Sequence, residues 1–99
     1  MIDIDKTTLK EIMNILRRNL DDNVSVYAFG SRVKNTARQY SDLDLLLKSE
    51  QDIPQKIIFT LKEEFEESDI PFRVDISDWH RLSETFKPFI DKEKVQINF

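Results

Sequence analysis

Glycine occurs once in these 99 residues, at position 30. It directly follows the run "VSVYAF" (24–29) and directly precedes Ser31. β-Branched and aromatic residues in that run favour an extended, half-buried strand. The chain then turns at Gly30, where the missing Cβ allows a tight bend and a close approach of backbone to a ligand. Ten residues separate Ser31 from Asp42, which with Asp44 opens a second apolar run, "LDLLL" (43–47). Strand side chains alternate, so Leu43, Leu45 and Leu47 point one way while Asp42 and Asp44 point the other.

The rest of the chain alternates helix and strand. Thr8 and Glu11 form a capping-box pattern. Leu9, Ile12, Met13, Leu16 and Leu20 recur at helical spacing, which predicts a helix over 8–20. Asp52 and Pro54 mark a second helix start, with Ile53, Ile57, Ile58, Leu61 and Phe65 along one face to about Glu67. "FRVDI" (72–76) is a third strand. Asp78 caps a short helical segment through Trp79 and Leu82; Pro88 is expected to kink or divide the stretch holding Phe86, Phe89 and Ile90. "VQINF" (95–99) ends the chain as a short strand. The expectation is a single domain over 1–99 of the α/β class, a small mixed sheet flanked by helices.

Composition removes several kinds of function. No cysteine is present, so disulfides and thiolate metal sites are excluded. No apolar run approaches the roughly 18 residues that span a bilayer, and "MIDIDKTTLK" has no signal-peptide core. A net charge of −4 and a pI near 5.0 argue against a general nucleic-acid binder. The reading is a small soluble cytoplasmic protein with no membrane and no direct nucleic-acid contact. His80 is the sole histidine, and neither a P-loop nor a G-x-G-x-x-G pattern occurs. The run Glu63, Glu64, Glu66, Glu67 and Asp69 reads as a solvated helix face.

Carboxylates two apart on a strand lie about 7 Å apart at Cα, close enough to converge on one hard cation. Magnesium is commonly held by one or two carboxylates together with substrate phosphates and water. Asp75, flanked by core-facing Val74 and Ile76, offers a third acid on another strand. Gly30 and Ser31, with Arg32, Lys34 and Arg38 close in sequence, supply donors for an anion. Each feature alone is commonplace: a Gly-Ser turn, a solvated Asp-x-Asp, a charged loop. Their conjunction provides donors for phosphates and carboxylates for the accompanying magnesium.

Gly30-Ser31, ten residues, then Asp42-Leu43-Asp44 resembles the G-S-x10-D-x-D signature of the polymerase-beta-type nucleotidyltransferase superfamily. "GSR" and "SDLDLLL" agree with that pattern, and the chain is most similar to the minimal nucleotidyltransferases (MNT) over essentially its whole length. Where the family often has "SRARG", this loop has "SRVKN", with Val33 and Asn35 in place of small residues. The resemblance implies a polymerase-beta-type fold in which Gly30, Ser31 and Arg32 hold the triphosphate of ATP and Asp42 and Asp44 ligate Mg2+. Asp75 would be the third acid, as metal ligand or as base for the attacking hydroxyl. The implied reaction is transfer of AMP from ATP.

Proteins resembling this one pair with a helical HEPN-type ribonuclease toxin. The resemblance therefore implies an antitoxin in a hetero-oligomer that adenylylates a toxin tyrosine. Phe86, Phe89 and Phe99 are candidate contact residues, or else complete the core. Two alternatives are nucleotidyl transfer to a small molecule with a partner subunit, and a non-catalytic module that blocks the toxin by binding.

Overall fold

The computed structural model describes residues 2–34 and 41–99. Helix α1 (Lys6–Asn19) leads into β1 (Ser25–Phe29), a 3-10 turn (Ser31–Val33) and β2 (Leu43–Lys48). Helix α2 (Gln55–Glu67), β3 (Val74–Asp78), a second 3-10 turn (Trp79–Arg81), α3 (Lys87–Glu93) and β4 (Val95–Ile97) follow. The strands form one four-stranded sheet in the order β3-β2-β1-β4. β2 and β3 run parallel, joined through α2, and both other pairings are antiparallel, so the sheet is mixed.

Alternation in the strands decides the two faces of the sheet. Leu43, Leu45 and Leu47 join Val26, Ala28, Val74, Ile76 and Ile97 in the main core. α1 covers this face with Ile12, Ile15, Leu16 and Leu20, and α2 with Ile58, Leu61 and Phe65. Each such side chain contributes roughly 1.5–3 kcal/mol when fully buried. The helices are also tied by charge. Glu64 accepts from Arg18 and Asn19, both at 2.7 Å, and these hydrogen bonds hold its carboxyl below the usual range. One member of the acidic run is therefore an inter-helix tie.

The opposite face bears Asp44, Leu46 and Lys48 of β2. Leu46 is fully buried yet outside the main core. The Trp79 ring lies beneath the ammonium groups of Lys48 and Lys87, at 4.2 and 5.0 Å from its centroid. The half of this face around Asp44 and Asp75 is only partly covered.

Three local expectations change. The α1 cap is Asp5, whose carboxylate accepts from the Thr8 N–H at 2.8 Å, so the helix begins before Thr8. A carboxylate there also meets the positive end of the helix dipole. Pro88 lies in the first turn of α3 and opens that helix instead of kinking it, because its missing N–H has no intrahelical partner there. The third strand begins at Val74 rather than residue 72. Asp78 does cap the turn at Trp79, accepting from the His80 N–H at 3.1 Å, and the C-terminal strand is β4.

Candidate active site

The sheet register assembles the acids. Asp44 is the Cα partner of Phe29 on one side and of Asp75 on the other. These residues form one row across three strands, at the end where β1 runs into Gly30. Asp42 stands one strand repeat ahead of Asp44 and is exposed; Asp44 and Asp75 are half-buried.

Gly30 has φ +83° and ψ −157°, a region open essentially to glycine alone. A Cβ built there would overlap Oδ2 of Asp44. Glycine is thus needed twice, for the backbone angle and for the closeness of turn to carboxylate. Its N–H donates to Glu93 Oε1 at 3.1 Å, and Glu93 Oε2 lies 2.8 Å from the Lys34 ammonium. Ser31 begins the 3-10 turn, closed by Val33 N–H to Gly30 O and Lys34 N–H to Ser31 O. Val33 packs on the core. Asn35 and Arg38 lie outside the described residues.

Arg32 occupies a different place from the one expected of a triphosphate ligand. It is 5% exposed, and its guanidinium donates to the backbone carbonyls of Ser41 (2.9 Å) and Asp3 (2.8 Å). It also lies 3.9 Å from the centroid of the Phe72 ring. A planar, multi-donor cation suits this joint of three segments. Arg32 locks the N-terminal segment, the turn and the entry to β2 together.

Burial pushes the Asp44 carboxyl above its ordinary range, and the charges of Asp75, Asp42 and Glu93 push it further; Arg73 opposes them. Asp75 Oδ1 accepts from Arg73 Nε at 3.0 Å and lies 2.8 Å from Nη2. The acids fit a magnesium ion in kind: hard oxygen donors carrying crowded negative charge that a cation would relieve. Among the described residues no three carboxylate or imidazole groups gather closely enough to enclose a metal. Arg73 engages Asp75 at the surface, where such pairs contribute only about 0–1 kcal/mol, so the carboxylate is readily exchanged. Beside Asp75 opens a cleft of about 540 Å³ lined by Phe65, Ile70, Phe72 and Val74, with Lys62 and Arg73 as its cations.

The Gly-Ser turn thus lies against Asp44, which faces Asp75 across the β2–β3 ladder. The family described as "Polymerase beta, Nucleotidyltransferase" matches residues 10–98. The chain belongs to the polymerase beta nucleotidyltransferase family. One curated relative, a "Probable protein adenylyltransferase MntA" from Haemophilus influenzae, is 45% identical over 96 residues, covering 97% of this chain and 83% of the relative. The fold is similar to that of a solved toxin-antitoxin structure with AMP-PNP, at TM-score 0.73 and 21% identity, covering 89% of this chain and 70% of that one. It is also similar to a solved complex of tri-AMPylated Shewanella oneidensis HEPN toxin with MNT antitoxin, at TM-score 0.67 and 19% identity, covering 94% and 71%. At those identities the likeness establishes the polymerase beta nucleotidyltransferase fold.

Glu93, Arg73 and Phe72 entered the site unannounced. Phe72 and Arg73 precede the third acid in "FRVDI" and were readable only as strand residues. Glu93 carries no local signal at all; its position depends on the pairing of β4 with β1.

Proposed function

We propose that this chain, acting as a single domain over 1–99 in the cytoplasm, transfers AMP from ATP to a tyrosine of a cognate HEPN-type ribonuclease and so acts as its antitoxin. The carrying observation is the Gly30 backbone folded onto Asp44 directly across from Asp75. It puts the turn read as the phosphate site against Asp44, with Asp75 in the same row and Asp42 one strand repeat ahead. The name of the Haemophilus relative supports adenylyl transfer to protein. The solved complexes support ATP as donor and a HEPN partner as acceptor.

In this reading Gly30 and Ser31 hold the phosphates, Asp42 and Asp44 would hold Mg2+, and Asp75 is the third acid, serving as base rather than as metal ligand. When bound, the ion neutralises phosphate charge and steadies the leaving pyrophosphate. Asp75 accepts the proton of the tyrosine hydroxyl. The phenolic oxygen forms a bond to the α-phosphorus as the bond from that phosphorus to the α,β-bridging oxygen breaks. Pyrophosphate leaves with that bridging oxygen. The cleft that runs along the β3 edge, with Phe65 and Val74 from the α2 side of the sheet, reaches Asp75 and is open to an aromatic side chain. Arg32 has no step here; it keeps the turn in shape.

The test mixes this protein with a cognate HEPN-type protein, ATP and magnesium. Intact-mass measurement should show one or more AMP increments on the partner. They should be absent with Asp42→Asn and without magnesium. A partner neutralised without any increment would replace catalysis with steric binding.

A further inference from the structure

Glu93, the last residue of α3, lies against the phosphate turn and has no role in the reaction just described. Its position follows from the β1–β4 ladder. Ala28 pairs with Val95 in an antiparallel ladder, so Gly30, two residues after Ala28, comes opposite Glu93, two residues before Val95. One carboxylate oxygen accepts from the Gly30 N–H at 3.1 Å, and the other lies 2.8 Å from the Lys34 ammonium. The side chain is 24% exposed.

A backbone amide and a lysine ammonium are the donor types that phosphate oxygens use, and charge-assisted bonds to them are the stronger kind. Glu93 thus satisfies these donors as an anion would. A neutral acceptor would serve the turn equally well as a brace without crowding Asp44. Glu93 instead adds to the negative charge that Asp75 and Asp42 already direct at Asp44.

We propose that Glu93 is a resident stand-in for a nucleotide phosphate. It holds Gly30 and Lys34 in the bound arrangement and gives them up when the polyphosphate chain enters. Resting on the nucleotidyltransferase reading above, it makes Glu93 a determinant of nucleotide affinity rather than a catalytic residue. Only a ligand with enough charge to displace a tethered carboxylate takes the turn, which favours a magnesium-bound triphosphate over inorganic phosphate.

Replacing Glu93 by Gln keeps an acceptor oxygen for Gly30 and removes the competing charge. Calorimetry on Glu93→Gln should give ATP–Mg and tripolyphosphate–Mg affinities roughly fivefold tighter than wild type, the effect of one charge at contact distance in a watery setting. Adenosine should bind both proteins alike. A merely structural role predicts weaker binding, so unchanged or weakened ATP–Mg affinity in folded Glu93→Gln overturns the proposal.

The wild-type protein supplies a second measurement. Because Gly30 is the only glycine, selective 15N-glycine labelling reports a single backbone amide. That resonance should move with tripolyphosphate–Mg and stay in place with adenosine. An unmoved resonance in protein that binds ATP–Mg by calorimetry also defeats the proposal, leaving the nucleotidyltransferase reading intact. Failure of wild type to bind ATP–Mg at all defeats both.

Discussion

Asp44 and Asp75 face each other on neighbouring parallel strands, both on the side of the sheet turned away from α1 and α2. Like charges opposed across a strand pair destabilise a sheet. Without a bound cation the protein therefore carries strain where the acids meet. This arrangement makes a stability measurement informative about the site.

Asp44→Asn should raise the melting temperature by a few degrees at pH 7 in metal-free buffer while abolishing nucleotide transfer. Burial first, then the surrounding acids, raises the Asp44 pKa in the folded protein. The folded state then keeps its proton to higher pH than the unfolded chain. Stability is lost as pH climbs from the unfolded value through the folded one, and neutral pH carries the full penalty. The advantage of Asn should fade below about pH 4, where the carboxylate is protonated in both states. Paired melts at pH 7 and pH 3 check this, and an advantage equally large at pH 3 contradicts it.

Gly30→Val should lose ATP–Mg binding. The substitution forces a β-branched residue into a glycine-only conformation, with a strain of about 1–3 kcal/mol. It also pushes a Cβ into the Asp44 carboxylate. Calorimetry on the folded variant is the measurement. An affinity equal to wild type would remove the phosphates from this turn.

The alternating strands and the Gly-Ser…Asp-x-Asp spacing were readable because both depend on residues close in sequence. "LDLLL" already separates acids from core, and one glycine after a strand already marks the turn. The structural contacts of Arg32 were not readable, for the converse reason. A lone arginine beside serine in a cation-rich loop looks like a phosphate ligand, and only the tertiary fold brings the carbonyls of Asp3 and Ser41 and the Phe72 ring around it. Glu93 depends on a strand register that no local pattern encodes. Phe86, Phe89 and Phe99 share one composition yet divide in the structure: the first two are exposed at 53% and 66%, while Phe99 packs partly on the core.

Arg32→Ala should act on the fold rather than on the nucleotide. Removing the guanidinium leaves the Ser41 and Asp3 carbonyls without that donor, and each such loss typically costs about 1–3 kcal/mol when the group is buried. Thermal melts should fall markedly, while ATP–Mg affinity of the folded fraction at low temperature stays within a few-fold of wild type. A stable variant that cannot bind ATP would restore Arg32 as a phosphate ligand.

Phe86→Ser with Phe89→Ser should weaken the complex proposed with a HEPN-type ribonuclease. Both rings are exposed, and surface changes of this kind usually alter stability by no more than about 0.5 kcal/mol. The melting temperature should therefore hold while partner affinity, read by calorimetry or co-purification, drops at least tenfold, as loss of an aromatic anchor commonly causes. Unchanged partner affinity would move the docking surface elsewhere on the domain.

Asp75→Asn separates binding from chemistry. Asp44 lies against the Gly30 turn, whereas Asp75 stands across the row beside the cleft at the β3 edge and is tied to exposed Arg73. A residue serving mainly to take the acceptor's proton has little hold on the donor nucleotide. ATP–Mg affinity should then stay within a few-fold of wild type, while AMP transfer falls by about 10²–10⁴, the usual contribution of a positioned base. Raising the pH should recover part of the rate, because a tyrosine hydroxyl that is already ionised needs no base. Calorimetry and partner intact mass across pH 7 to 10 measure both quantities. Were ATP–Mg affinity to collapse together with transfer, Asp75 would be a ligand of the nucleotide's metal first, and the proton would have to leave by another group.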